Sequence, residues 1–487
     1  FECNFTYNES FTVSVMKECE MELIEEFAKY LDHVTDGLGR LERKVGLKDY
    51  CRGLMLPLKR KSLEPLAAAV DPCHVSARHQ SLQNFVADSP WSDEGVLSRV
   101  QSWVLPKMLS EHKGWVFLIA DDTGMPKAGT HSVGVARQYC GQLGKTDNCQ
   151  VAVSLSIATA QASLPVKYRL YLPQSWTDDR SRCEEVGVPQ DVAFLTKPQI
   201  SLAQIRQAKA AGLPGDIVAA DAAYGDDTDY RDGITELGLL YVLGIKPGTT
   251  LWAAGTAALP PKPWSGRGKK PTRLRRDAQH QPVSAKQMAM SLPRSAYRKL
   301  TWREGTNAKL SSRFAAVRVT AAHRDYLGDV PRDEEWLLIE WPKGEPEPTK
   351  YFLSTLPANI SHKQLVDAVK SRWRIERDYQ ELKQEFGLDN FEGRNWRGFH
   401  HHASLCIAAY GFLVGERLAH GQDTKKNTVL RAQPALPEGY IPRGANSTSA
   451  PRPRLNSDPA LVHRRRARST SDGLPSPRKQ SGSETQT

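Results

Sequence analysis

The sequence has no two cysteines in C-x-x-C spacing and no apolar run long enough to cross a bilayer. Its eight cysteines are scattered, so neither a zinc site nor a disulfide framework is indicated, and reduced thiols are expected. A membrane-spanning helix needs about 20 apolar residues, and the longest apolar stretch, Ala403 to Val414, is shorter than that. No secretory signal peptide is visible. We therefore expect a cytoplasmic protein that has no membrane partner.

The chain is long and basic. Its 487 residues exceed the usual length of one domain, and its net charge of +11 with a pI of about 9.1 suits an anionic partner, of which nucleic acid is the commonest. The first methionine is Met16, where a helical pattern begins, so residues 1–15 are interpreted as a leader or a fragment edge.

The pattern of apolar residues changes several times along the chain. Apolar residues at helical spacing dominate residues 16–110, whereas short apolar runs separated by helical segments follow and predict an α/β fold class. The predicted organisation is a helical N-terminal region (16–110), a first core part (111–248), a β-rich insertion (249–345), a second core part (346–420) and a basic tail that lacks the composition of a folded domain (421–487).

One predicted helix carries a conspicuous set of charges. It starts at a capping-box pattern at Ser361 and is expected to run to about Phe386. At about 100° per residue, Arg372, Glu376 and Lys383 share one narrow face of it. Two interpretations remain open: a solvated stripe with an i, i+4 ion pair, or a functional site.

Two aspartates stand where predicted buried strands end, and polar groups at such ends commonly bind ligands. Asp121 and Asp221 could each cap a turn or helix, or they could join the helical glutamate as ligands of divalent ions. Mg²⁺ prefers oxygen ligands, and two such ions can catalyse phosphoryl transfer. The consecutive His400, His401 and His402 would point in three directions on a helix, so packing or surface exposure explains them better than a shared metal.

Several motifs together resemble a known family. Arg372-Trp-Arg-Ile-Glu376, with Lys383 seven residues later, resembles the Tyr-x2-Arg-x3-Glu-x6-Lys motif of DDE transposases of the insertion sequence 4 type. The chain is most similar to the insertion sequence 701 family over about 75–420, through the segments Asp121-Asp-Thr-Gly-Met-Pro-Lys-Ala-Gly129, Asn148-Cys-Gln150, Ala220-Asp-Ala-Ala-Tyr-Gly225 and Gly387-Leu-Asp-Asn-Phe-Glu-Gly-Arg-Asn-Trp-Arg-Gly398.

The resemblance implies a ribonuclease H-like core with a β-rich insertion between the second aspartate and the glutamate. It also implies two divalent ions, Mg²⁺ or Mn²⁺, as cofactors. The implied catalytic and metal-ligating residues are Asp121, Asp221 and Glu376, and the implied DNA contacts are Arg372, Trp373 and Lys383.

The site residues that the resemblance implies leave one alternative ligand, one departure from the family motif and two further candidates for DNA contacts. Asp122 could replace Asp121 as the first ligand, although the family pattern Asp-x-Thr favours Asp121. The tyrosine of the family motif falls on Val369, which removes a hydroxyl that could contact DNA. Arg137 and Lys145 are further candidates for DNA phosphate contacts, or they are solvated.

The function that these expectations imply is transposition. The enzyme would cut DNA at insertion-sequence ends and transfer the 3′ hydroxyl to target DNA, with the helical region 16–110 binding the ends. The implied partners are double-stranded DNA and a second copy of the chain in the synaptic complex. The alternatives are a catalytically inactive DNA-binding descendant and a metal-dependent nuclease without strand transfer.

Overall fold

The computed structural model of the chain describes residues 6–304, 309–328 and 330–421, all of which belong to one compact unit. Residues 1–5 of the predicted leader and residues 422–487 of the predicted tail therefore lie outside the described residues. In the described ranges, none of the helices combines the length and the apolarity that a lipid bilayer requires.

The N-terminal part is helical, as the sequence predicts. Ser92 caps the last of these helices, because its hydroxyl accepts a hydrogen bond of 3.0 Å from the backbone N–H of Gly95. The first helix already includes residues 6–15, which sequence analysis assigned to a leader or fragment edge. The helices are α1 (Thr6–Thr35), α2 (Leu41–Met55), α3 (Leu63–Val70), α4 (Val75–Gln83) and α5 (Asp93–Leu109).

A mixed arrangement of strands and helices follows. The strands are almost entirely buried, in keeping with their apolar composition. The elements are β1 (Phe117–Pro126), β2 (Ala136–Cys140), β3 (Lys145–Ala158), β4 (Ser163–Leu170), α6 (Gln174–Thr177), α7 (Arg180–Glu185), α8 (Lys197–Ala210), β5 (Ile217–Ala220), α9 (Ala222–Gly225), α10 (Thr228–Glu236) and β6 (Leu240–Ile245).

The segment predicted as a β-rich insertion continues the same sheet. Its elements and the strand that follows them are β7 (Thr250–Ala253), β8 (Val283–Ser284), α11 (Ala285–Ser291), β9 (Arg298–Glu304), β10 (Lys309–Ala321), β11 (Glu335–Trp341) and β12 (Lys350–Ser354). The strand order is β2-β3-β1-β5-β6-β12-β11-β10-β7-β8, with β4 paired to β3 and β9 to β10. β1, β5 and β6 are mutually parallel and the other pairs are antiparallel. The fold is therefore α/β with one large mixed sheet.

Three helices end the described chain: α12 (His362–Lys370), α13 (Trp373–Gln384) and α14 (Trp396–Gly421). The predicted capping box at Ser361 is confirmed, but the single helix expected from Ser361 to about Phe386 is wrong. The backbone N–H groups of Ser371 and Arg374 bond three residues back, which tightens the chain between α12 and α13. Lys370 pairs with Glu340 on β11, and Arg374 bonds the Ala160 carbonyl, so side chains on either side of the break are anchored to different parts of the sheet.

The helix α14 packs against α5, α2 and β4 and contributes to one hydrophobic core with them. His400, His401 and His402 on this helix are all buried and hydrogen-bonded. Packing therefore accounts for all three, and surface exposure accounts for none.

Candidate functional site

Asp121 lies within the strand β1, and not after the end of that strand. The sequence predicts a strand that stops at Ala120, but β1 runs on to Pro126 because β3 pairs with it antiparallel along its whole length. Its parallel pairing with β5 covers only Phe117 to Ile119. Asp121 therefore lies just beyond the carboxyl end of the parallel pair, where polar ligand-binding groups are expected.

Asp221 follows β5 directly and also caps the short helix α9. Its Oδ1 accepts a hydrogen bond of 2.8 Å from the Ala223 backbone N–H, which leaves Oδ2 for other contacts. The backbone turn here is tight, since a Cβ on Gly225 would lie 2.1 Å from the Gly244 carbonyl oxygen. Glycine at 225 thus allows α9 to approach β6 and sets the position of Asp221.

The guanidinium of Arg372 joins two of the three predicted carboxylates. It donates one hydrogen bond of 2.6 Å to Asp121 Oδ2 and another of 2.6 Å to Glu376 Oε1. Burial by itself would lower the pKa of Arg372, but Asp121, Glu376 and Asp221 outweigh it and raise that pKa. Asp121 and Glu376 thus bond Arg372 directly, and the charge of Asp221 contributes to the raised pKa of Arg372.

The carboxyl group of Asp121 is almost fully buried, and burial raises its pKa to about 7. Arg372 opposes this shift, whereas the negative charges of Asp221 and Asp122 add to it. A cation beside Asp121 would stabilise the charged form of this buried carboxyl group and offset the negative charges of its neighbours.

Asp122 is bound to different partners from Asp121. Its Oδ2 pairs with Lys197 Nζ at 2.8 Å, and its Oδ1 accepts a hydrogen bond of 3.1 Å from the Tyr224 hydroxyl. Successive side chains of a strand point to opposite faces of a sheet, which explains why the two neighbours differ. The structure thus brings Asp121, not Asp122, to Arg372. Nothing in the sequence near Asp122 points to Lys197 or Tyr224 as its partners.

Lys383 and Tyr379 continue the face of α13 that carries Glu376. Lys383 Nζ donates hydrogen bonds to the Gly124 carbonyl at 2.7 Å and to Gln142 Oε1 at 3.0 Å, and burial lowers its pKa. Tyr379 hydrogen-bonds Ser154 at 2.7 Å, and burial, with Asp121 nearby, raises its pKa well above the ordinary value. Tyr379 is not among the predicted site residues, although its spacing from Glu376 and Lys383 puts it on the same face of the helix.

The other predicted DNA contacts lie apart from the carboxylates. Arg137 is on β2 opposite Asn148, and Lys145 pairs with Asp147 at 2.9 Å across an exposed surface. Within the described ranges, no hydrogen bond or ion pair connects Arg137 or Lys145 to the acidic residues. Trp373 at the start of α13 lies under the Arg374 guanidinium, 5.2 Å from its carbon, and lines a cavity of about 490 Å³.

The segments that carry the insertion sequence 701 resemblance meet beside this site. Lys127 Nζ donates to the Phe391 carbonyl at 2.6 Å, and Asn148 Nδ2 donates to the Lys127 carbonyl at 2.7 Å. Gln150 Nε2 donates to the Val133 carbonyl at 2.6 Å. Motif residues that are far apart in the sequence therefore form one hydrogen-bonded junction that packs the end of β1 against the 387–395 loop.

The donor chemistry of the acidic cluster suits a hard divalent cation, because Asp121, Asp221 and Glu376 offer only oxygen ligands. Within the part of the chain that the structure describes, no three His, Cys, Asp or Glu side chains converge closely enough to form a metal site. Arg372 already bonds two of these carboxylates. A cation that enters the cluster would therefore replace the contacts of Arg372.

Comparison with known proteins identifies the family of the chain. A family model described as DDE superfamily endonuclease matches residues 33–309, more than half of the chain. The probable transposase for insertion sequence element IS701 of Microchaete diplosiphon is 30% identical over 196 residues, which are 40% of this chain and 47% of that protein. The chain thus spans about half the length of the curated relative it matches.

Among solved structures, that of the NurA nuclease from Sulfolobus solfataricus aligns with 57% of this chain and 81% of that chain, at 7% identity and a TM-score of 0.23. So low a score carries no argument about the fold. The family model, together with the resemblance found in the motifs, identifies the chain as a member of the DDE superfamily of endonucleases.

Proposed function

We propose that this chain is a transposase that cleaves DNA at the ends of an insertion sequence and transfers the freed 3′ hydroxyl to target DNA. The observation that carries the proposal is the Arg372 guanidinium, which bridges Asp121 on β1 and Glu376 on α13. Membership of the DDE endonucleases supports the cleavage step. Similarity to the IS701 transposase supports transposition.

The proposed cofactors are two divalent ions, Mg²⁺ or Mn²⁺, held by Asp121, Asp221 and Glu376. Their oxygen ligands suit such ions, and the pKa of Asp121, which is raised mainly by burial, is raised further by the negative charges of Asp221 and Asp122. Bound ions of this kind supply activation of the attacking oxygen and neutralisation of charge at the leaving oxygen. In their absence Arg372 supplies the positive charge, and it keeps Asp121 and Glu376 in place.

Positively charged and aromatic side chains around the carboxylates are proposed to hold the DNA. Arg372, once released from the carboxylates, can place a planar, two-pronged donor group on a phosphate. Lys383 is fixed by the Gly124 carbonyl and brings a second positive charge to the same face of α13. Trp373, Arg137 and Lys145 are proposed as contacts further along the DNA, and Lys145 would exchange Asp147 for a phosphate.

The order β4-β3-β1-β5-β6, antiparallel on one side of β1 and parallel on the other, supports a ribonuclease H-like core. We propose the N-terminal helices as the region that binds the insertion-sequence ends, and the strands of 249–345 as an insertion within this core. Double-stranded DNA would be the partner, in a dimer that brings two ends together, in the cytoplasm.

The test is divalent-ion-dependent nicking of DNA that carries the terminal repeats flanking the gene. Asp121→Asn, Asp221→Asn and Glu376→Gln should each lower nicking by at least about 100-fold, since charge neutralisation at the reacting phosphate is lost. Asp122→Asn is the matched control, because Asp122 bonds Lys197 and Tyr224 and not Arg372. It should keep nicking within about fivefold of the wild type, which corresponds to a change of about 1 kcal/mol or less in activation free energy.

The same assay distinguishes the alternatives. Joined products, in which insertion-sequence ends are linked to target DNA, identify a transposase, and nicks without joined products identify a nuclease. Retardation of the ends without any nicking identifies a DNA-binding descendant. Equal nicking by the wild type and the Glu376→Gln variant would show that the assignment of the carboxylates is wrong.

A further inference from the structure

A second charged surface lies outside the acidic cluster, on the loop of residues 261–273 between β7 and β8, here called the basic loop. The basic loop has no aspartate or glutamate, and all five of its cationic side chains are exposed. No carboxylate of the described residues lies within ion-pair distance of any of them. They are Lys262, Arg267, Lys269, Lys270 and Arg273.

The base of the basic loop is firmly held. Leu259 and Arg275 exchange two backbone hydrogen bonds of 2.8 and 2.9 Å, which close the loop. Leu274 is buried in a small apolar cluster with Trp252. Arg276 pairs with Asp325 at 2.6 Å. Arg275 and Arg276 thus stabilise the base of the loop, whereas the five loop cations form no ion pair with the described residues.

The tip of the basic loop is also restricted. The Trp264 indole N–H donates to the Gly268 carbonyl at 3.2 Å, and Gly266 and Gly268 adopt positive φ angles of 80° and 74°. Three prolines in the same 13 residues fix further φ angles. A restricted loop loses little conformational entropy when it binds a partner.

We propose that the basic loop is a DNA contact surface that binds the phosphate backbone of the duplex without reading its sequence. Five unpaired positive charges on one short loop repel one another, and duplex DNA, with one negative charge per about 1.7 Å of its axis, offsets that repulsion. Within the described residues, none of the five cations bonds Asp121, Asp221 or Glu376, so the loop would hold different phosphates from those at the three carboxylates. This inference rests on the proposed function, since DNA is the substrate proposed there.

The experiment compares the salt dependence of DNA affinity in three proteins, measured by fluorescence anisotropy on a labelled duplex that carries the terminal repeat. One variant replaces the five loop cations by glutamine and leaves the base residues Leu274, Arg275 and Arg276 intact. The matched control replaces five exposed cations elsewhere by glutamine, namely Lys113, Arg206, Arg298, Lys299 and Lys343.

Each phosphate contact contributes about 0.9 to the slope of log affinity against log salt. With five contacts removed, the loop variant should therefore show a slope smaller in magnitude by about 4.5, and the control should keep most of its slope. An unchanged slope in the loop variant, or an equal loss in the control, would overturn the proposal while the proposed function stood. Absence of DNA binding by the wild type would overturn both.

Discussion

Acidification should destabilise the protein through His402, which is fully enclosed between α14 and the N-terminal helices. Its Nδ1 accepts a hydrogen bond of 2.8 Å from the Tyr50 hydroxyl, and its Nε2 donates at 3.0 Å to the Gly387 carbonyl. These partners suit the neutral ring with its proton on Nε2. The pKa of His402 is lowered from 6.5 to about 4, mainly by burial; Lys127 adds to this shift, whereas the hydrogen bond with Gly387 and the charge of Asp389 oppose it.

The effect on the free energy of unfolding follows from the difference between the pKa of His402 in the folded chain and in the unfolded chain. Because the folded pKa lies below the unfolded one, the unfolded chain takes up the proton first as the pH falls. The stabilisation by neutral His402 is therefore present above pH 6.5 and is lost as the pH falls from there towards 4. Between about pH 7.5 and about pH 5, the loss amounts to roughly 2 kcal/mol of unfolding free energy.

Urea unfolding midpoints at the two pH values, for the wild type and His402→Asn, test this estimate. Asparagine keeps an acceptor for Tyr50 but cannot take up a proton, so the variant should lose about 2 kcal/mol less than the wild type on acidification. The exposed His131→Asn variant is the control and should follow the wild type. Parallel pH profiles for the wild type and His402→Asn would refute the reasoning.

Other substitutions give equally direct tests. Arg372→Lys should lower nicking about tenfold, since one ammonium group lacks the planar, two-pronged donor that arginine can place on a phosphate; wild-type nicking would contradict the proposed phosphate contact of Arg372. Gly225→Ala should lower the urea midpoint by an amount equivalent to about 3 kcal/mol, because its Cβ would meet the Gly244 carbonyl at 2.1 Å, and an unchanged midpoint would refute the close approach. Lys383→Met should weaken DNA binding and reduce its salt slope by about 1, and the slope would stay the same if Lys383 only supports the Gly124 carbonyl.

Features that depend on neighbouring residues could be predicted from the sequence. The capping box at Ser361 is a local pattern and was found in the predicted place. The shared helical face of Arg372, Glu376 and Lys383 also depends only on residue spacing, and the Arg372–Glu376 ion pair forms as that spacing requires.

Features that depend on distant residues could not be predicted. The break between α12 and α13 lies between side chains anchored to Glu340 and to the Ala160 carbonyl, which no local pattern reveals. The choice between Asp121 and Asp122 depends on which face of β1 meets α13 and which meets Lys197. Neither face is marked in a strand that is buried along most of its length.

The burial of α14 has a consequence for shortened gene copies. This helix comes last in the described chain, yet it packs against α2, α5 and β4, and the Tyr30 hydroxyl of α1 donates to its Ala408 carbonyl at 2.7 Å. A frameshift or stop codon before Trp396 would leave the apolar sides of the N-terminal helices facing water. Truncation should therefore yield aggregated or degraded product, so descendants that bind DNA without cutting it should arise by point substitution at the acidic residues.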